Sequence, residues 1–306
     1  MKKYRDYLPS TLSMNILFQL LIFMCQYLYI NYWVSDNDSF VKVAYGTNAT
    51  TYRTQRGKKR VILFLSGGYC LEYHFYIKKT MRDLEKTYPS IMANYELICY
   101  EQPGKSSFTA IDDVCGYIRN LNADVGGIEE LILFGFSASG VVASHVVSQL
   151  SDLTSCWKKI ITYDTPYHVH MNVDSFKHNW FYRADFAFFR KVYDVYLKYA
   201  EPRHLTDVWW NSGSPRMTKM ILDVEGWTFD EMSERMGFNF DLGSDVCVYN
   251  IYSRNDPIVR WDLTRAYIDG CEVRCSLKNT EKNTVGHCSD MAFSTEYLAH
   301  IIECLF

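Results

Sequence analysis

The chain has 306 residues and a formal net charge of -3, with 32 Lys and Arg against 35 Asp and Glu, a balance that excludes a basic nucleic-acid binder. With 48% hydrophobic and 22% charged residues it is not a disordered chain, and its length suits one large α/β domain or a core carrying an insertion. Ten cysteines scattered from Cys25 to Cys304 are too dilute for a disulfide scaffold and form no CxxC pair, so no zinc ribbon or dithiol motif is expected.

Residues 7–35 carry no charged side chain. Within them residues 16–34 form an apolar stretch about as long as a membrane-spanning helix, preceded by Lys2, Lys3 and Arg5 and followed by Asp36 and Asp38. Gln19, Gln26 and Asn31 dilute it. Three readings of residues 1–36 stand side by side: a signal-anchor with membrane association through residues 16–34, a cleaved signal peptide, and a buried N-terminal helix of a soluble intracellular protein. The membrane or secretory reading is favoured, because the charge flanks have the right sense. Two glycosylation tripeptides, Asn37-Asp38-Ser39 and Asn48-Ala49-Thr50, follow the segment but arise often by chance.

Beyond it, short β-rich apolar runs end in Gly, Asp or Pro and give way to helical stretches. The runs are Val61–Leu65, Tyr95–Tyr100, Leu131–Phe134, Lys159–Tyr163 and Val246–Tyr252, with a further strand-like stretch at Val273–Leu277. Runs that are apolar throughout, rather than alternating, suit a parallel sheet buried on both faces. Helical patterns at Ala110–Leu121 and Gly140–Leu150 separate them, which predicts a mostly parallel α/β layer fold. Between Tyr167 and Asp245 the rhythm breaks into an aromatic-rich helical stretch that includes Trp180, Phe181, Tyr182, Phe186, Phe188 and Phe189. It reads as an inserted helical cap over residues 169–244, with the core in residues 37–168 and 245–306.

The strongest chemical signal is Gly135-Phe136-Ser137-Ala138-Ser139-Gly140, placed after an apolar run and opening an Ala/Val-rich helix. A serine on a sharp strand-to-helix turn presents its hydroxyl above the sheet, and small neighbours permit the turn. The helix N-terminus behind it offers N–H groups to a developing oxyanion. A nucleophilic serine needs a base and an orienting acid. His287, in Thr284-Val285-Gly286-His287, and Asp256, in Asn255-Asp256-Pro257-Ile258-Val259, follow it in the order Ser, Asp, His. Each has a plainer reading: an N-cap serine, a turn aspartate, a buried structural histidine.

Taken together, these motifs resemble those of α/β-hydrolase-fold serine hydrolases over roughly residues 40–306. Ser66-Gly67-Gly68-Tyr69 stands where that family carries its oxyanion loop, and Glu101-Gln102-Pro103-Gly104-Lys105-Ser106-Ser107 is similar to its turn after the fourth strand. The resemblance implies Ser137 as nucleophile, Asp256 as acid, His287 as base, and the Gly68 and Ala138 amides as the oxyanion hole. It also leaves Asp164, at the end of the Lys159–Tyr163 run, as an alternative acid, since some lipase-like members draw theirs from that strand. Three positions depart from the family pattern: Ser139 replaces the second elbow glycine, Ser66 a histidine, and Lys105 a glycine.

No organic cofactor or metal is expected. His168 and His170 lack a third ligand in register and suit a loop leading into the cap, and Cys70 reads as a small buried residue. The Gly-Lys-Ser of the 101–107 turn lacks the first glycine of a phosphate loop. The implied activity is cleavage of a carboxylic ester of an apolar or lipid-like substrate, either a small apolar ester or a lipid. A peptidase or thioesterase on the same scaffold, a catalytically silent binding protein and a membrane-tethered structural protein are the alternatives.

Overall fold

The structure is a computed structural model that describes residues 41–44, 50–53, 56–65, 72–101, 109–137, 139–168, 237–256, 259–283 and 290–306. Eight strands, β1 (Val41–Ala44), β2 (Thr50–Arg53), β3 (Arg60–Leu65), β4 (Glu96–Glu101), β5 (Glu130–Phe136), β6 (Trp157–Tyr163), β7 (Cys247–Tyr252) and β8 (Ser276–Glu281), form one sheet in the order β1-β2-β4-β3-β5-β6-β7-β8. The six from β4 to β8 in that order are parallel, and β1 and β2 add an antiparallel edge. The described helices are α1 (Glu72–Thr87), α2 (Pro89–Met92), α3 (Thr109–Asp124), α4 (Ser139–Gln149), α5 (Trp261–Gly270), α6 (Asp290–Phe293) and α7 (Tyr297–Leu305).

The pleat explains why the central strands read as unbroken apolar runs. Successive side chains of a strand point to opposite faces. Val61, Leu63 and Leu65 of β3 and Leu131 and Leu133 of β5 join a core with Ile118 of α3 and Val146 of α4. Ile62 and Phe64, with Ile132, Phe134 and Phe136, join a second core with Met81 of α1 and Ile301 of α7. Both faces are covered, so every position of β5 is buried. The sheet edge is different. β8 is mostly exposed, and its Ser-Leu-Lys-Asn-Thr-Glu sequence carries no apolar run. That is why the sequence places a strand at Val273–Leu277 whereas the ladder begins at Ser276, with Val273 itself exposed.

At the end of the sheet where β5 and β6 begin, Glu130 and Lys159 form a buried pair 3.0 Å apart. Arg60 lies 3.3 Å from the same carboxylate. The Tyr95 hydroxyl donates to it at 3.1 Å, and burial together with the Glu130 charge pushes that phenol up to about 12. Lys159 also donates to the Leu305 carbonyl at 2.7 Å, which ties α7 to the sheet. Removing one partner of a buried pair leaves the other charge uncompensated, at a cost of about 3–5 kcal/mol. Glu130→Gln should therefore lower the urea midpoint by that amount of stability with the slope m unchanged, a shift that equilibrium unfolding reads directly.

The interval expected to form a cap leaves and rejoins the core at one place. His168 and Gly237 form an antiparallel bridge, and the Phe238 amide donates to the Tyr167 carbonyl at 2.7 Å. Phe238 and Phe240 are buried against Tyr167, so core packing resumes ahead of residue 245. Residues 169–236 lie outside the described residues, as does the 16–34 segment. Among the described residues, no helix is long and apolar enough to cross a membrane.

Candidate active site

Ser137 directly follows the last residue of β5, and its backbone adopts φ +48°. Only one other non-glycine among the described residues has a positive φ, and it is Asp164, at +45°, directly after β6. Left-handed backbone costs a non-glycine residue of order 1–3 kcal/mol and persists where surrounding structure imposes it, most often at functional sites. Here the imposing structure is identifiable. The Ser137 amide donates to the Tyr163 carbonyl at 2.9 Å, and the Asp164 amide donates to the Ile251 carbonyl at 2.9 Å. Each strand end is thus pinned to the next strand just beyond the ladder.

The glycines flanking Ser137 make the turn sterically feasible. A Cβ on Gly135 would lie 2.5 Å from the Gly140 Cα, and one on Gly140 would lie 2.7 Å from Thr165 Cγ2. The first turn of α4 therefore passes directly across the end of β5, and only glycine fits at position 135. Ser139, which departs from the family pattern, is fully buried, and its hydroxyl lies 2.7 Å from the Phe136 carbonyl and 3.0 Å from the Leu65 carbonyl. It joins the elbow to the end of β3, where a glycine would make neither contact. Ser137 itself remains half-buried at the head of α4.

Asp256 lies on the loop after β7 and is buried. Its Oδ1 accepts the Val259 amide at 2.8 Å, and its own amide donates to the Ser253 carbonyl at 3.4 Å, so the loop fixes the orientation of the carboxylate. Asp164 and Asp256 both border one small pocket, together with Thr165 and Trp261. Trp261 stacks on Tyr252 with centroids 3.5 Å apart. The two candidate acids thus share one space but differ in their partners: Lys282 Nζ lies 2.5 Å from Asp164 Oδ2.

Gly68, Ala138 and His287 lie outside the described residues, as do Cys70, His170 and Lys105. His168 packs edge-on against Tyr267, with centroids 5.0 Å apart. Among the described residues, no group of three or more His, Cys, Asp or Glu is placed to hold a metal ion. Sequence reading missed Lys282, Asp290 and Tyr163. A lysine after a polar edge strand looks like a solvated charge, and nothing local in the sequence shows that Lys282 is only 2% exposed.

Neither protein-family profiles nor curated proteins match this chain. Solved structures do. The Pyrococcus furiosus esterase Pf2001 superposes with a TM-score of 0.52 at 12% identity, covering 87% of this chain and 88% of that one. A thermophilic esterase from Thermogutta terrifontis gives 0.49 at 13% identity, covering 87% of this chain and 97% of its own. At such identities the likeness is one of fold. With the strand order and the parallel sheet already described, the chain has the α/β-hydrolase fold.

Proposed function

We propose that this protein is a serine hydrolase that cleaves carboxylic esters through an acyl-enzyme on Ser137. One observation carries the reading: Ser137 is held at φ +48° between a strand and a helix that meet too closely for any residue but glycine at position 135, while Gly140 packs equally closely on the Thr165 side chain. Such a turn is costly to maintain and has a chemical use, since it lifts a nucleophile clear of the sheet beside a helix N-terminus.

In this reading the Ser137 hydroxyl attacks the ester carbonyl while the His287 imidazole takes its proton. Asp256 holds the imidazole and stabilises its charged form. The Gly68 and Ala138 amides receive the oxyanion, each donor contributing about 3 kcal/mol to the transition state. The tetrahedral intermediate collapses, the alcohol leaves with the proton from His287, and a water activated by the same base releases the acid. The aromatic-rich composition of residues 169–236 favours an apolar acyl or alcohol group. Residues 16–34 would bring that site to a membrane surface.

The test is reaction with a tagged fluorophosphonate, peptide mapping of the label, and hydrolysis of short and long p-nitrophenyl esters. The label should map to Ser137, and turnover should rise with acyl length until the pocket is filled. A folded protein that takes up no label would overturn the nucleophile assignment. Labelling without sustained turnover would instead indicate a binding protein that retains the triad.

A further inference from the structure

Lys282 directly follows β8, and its side chain is 1% exposed. Its Nζ lies 2.5 Å from Asp164 Oδ2 at the end of β6 and 2.9 Å from Asp290 Oδ1 at the start of α6. Both carboxylate side chains are buried, at 0% and 5% exposure. The same ammonium sits 3.9 Å from the centroid of the Tyr163 ring, and the Tyr163 hydroxyl donates to Asp290 Oδ2. The Lys282 amide donates to the Tyr252 carbonyl at 2.8 Å, which fixes the backbone that carries the cation to β7.

A buried lysine between two buried carboxylates is a poor way to gain stability, because desolvation consumes most of the Coulomb energy and apolar residues would fill the space as well. What charged groups add is direction. Lys282 and Asp290 are eight residues apart and bracket the segment that carries His287 in sequence. The Lys282–Asp290 contact fixes how far apart the two flanks of that segment lie in advance of substrate binding. The third partner, Asp164, anchors the clasp to β6, which also delivers the carbonyl that receives the Ser137 amide.

We infer that Lys282 is a positioning residue of the hydrolase site: with Asp164 and Asp290 it forms a buried clasp that joins both ends of the histidine-bearing segment to the strand next to the nucleophile. The inference rests on the serine-hydrolase reading. It gives Asp164 a structural partner in Lys282.

The test uses a charge-conserving pair of changes. Asp164→Asn with Lys282→Met removes one charge of each sign, and asparagine tolerates the left-handed backbone at 164. The folded double variant, checked by thermal melting, should keep the wild-type KM for p-nitrophenyl butyrate while kcat and the rate of Ser137 phosphonylation fall about 100-fold, the scale of a misplaced catalytic group. Asp290→Asn, which leaves Lys282 paired with Asp164, should lower kcat about 10-fold, again without raising KM. That single variant decides the matter if the double variant does not fold. Wild-type kcat in a folded double variant, or in Asp290→Asn, overturns the clasp alone. A wild-type protein that neither labels nor turns over overturns the hydrolase reading and the clasp with it.

Discussion

Ser137→Ala is expected to abolish fluorophosphonate labelling and to lower kcat for p-nitrophenyl esters by about a millionfold, with KM little changed. The size follows from how such sites work: nucleophile and base act as one unit, and losing either costs nearly as much as losing all. The substrate is held by surfaces the serine does not form, so binding survives. A residual rate of about 1,000-fold over water would persist, because oxyanion donors still stabilise attack by water from the bulk. The fold should also tolerate the change. Alanine keeps the Cβ already present at φ +48°, and the contacts that hold the elbow come from the Ser137 amide, from Ser139 and from the two glycines. Stability is therefore expected to stay within about 0.5 kcal/mol of wild type. The comparison separates chemistry from folding: ester turnover by folded Ser137→Ala at more than about a hundredth of the wild-type rate would place the nucleophile elsewhere.

The parts of this molecule legible in its sequence are those where one residue type answers to one local requirement. Val61–Leu65 and Leu131–Phe134 read as strands because both their faces are buried, so every position had to be apolar. Gly135, Ser137 and Gly140 read as an elbow because a sharp turn between a strand and a helix leaves no room for side chains at its flanks. Where several long-range partners set the outcome, the sequence is silent. β1 and β2 are four-residue strands paired at the sheet edge, too short for periodicity to register. β8 lies at the opposite edge, where an exposed polar strand looks like a loop. Ser139 looks like a tolerated stand-in for glycine, and only the positions of the Leu65 and Phe136 carbonyls give its hydroxyl work. Lys282 is the extreme case: it is buried because residues 118 positions before it and 8 after it converge on its ammonium.

The second large effect separates the two candidate acids. Asp256→Asn should lower kcat about 10,000-fold, the loss seen when a neutral amide replaces the carboxylate that sets the tautomer of a catalytic imidazole. Asp164→Asn should cost no more than about 10-fold, since what it removes is one anchor of Lys282 while the Lys282–Asp290 contact at 2.9 Å remains. The asymmetry has a physical origin in what each carboxylate already faces. Asp164 Oδ2 lies 2.5 Å from a buried ammonium, and turning it toward an imidazole would take away one of the two carboxylates that hold Lys282, leaving Asp290 alone to pair it. Asp256 is held differently. The Val259 amide donates to Oδ1 at 2.8 Å and so fixes the orientation in which this carboxylate would meet an imidazole. Both variants keep the size and shape of the original side chain while replacing one accepting oxygen with an NH2 donor and removing the charge, so the contrast is read in kcat at matched stability, by ester hydrolysis alongside thermal melts. Near-wild-type turnover in Asp256→Asn together with collapse in Asp164→Asn would reverse the assignment and make β6, next to the nucleophile strand, the source of the acid.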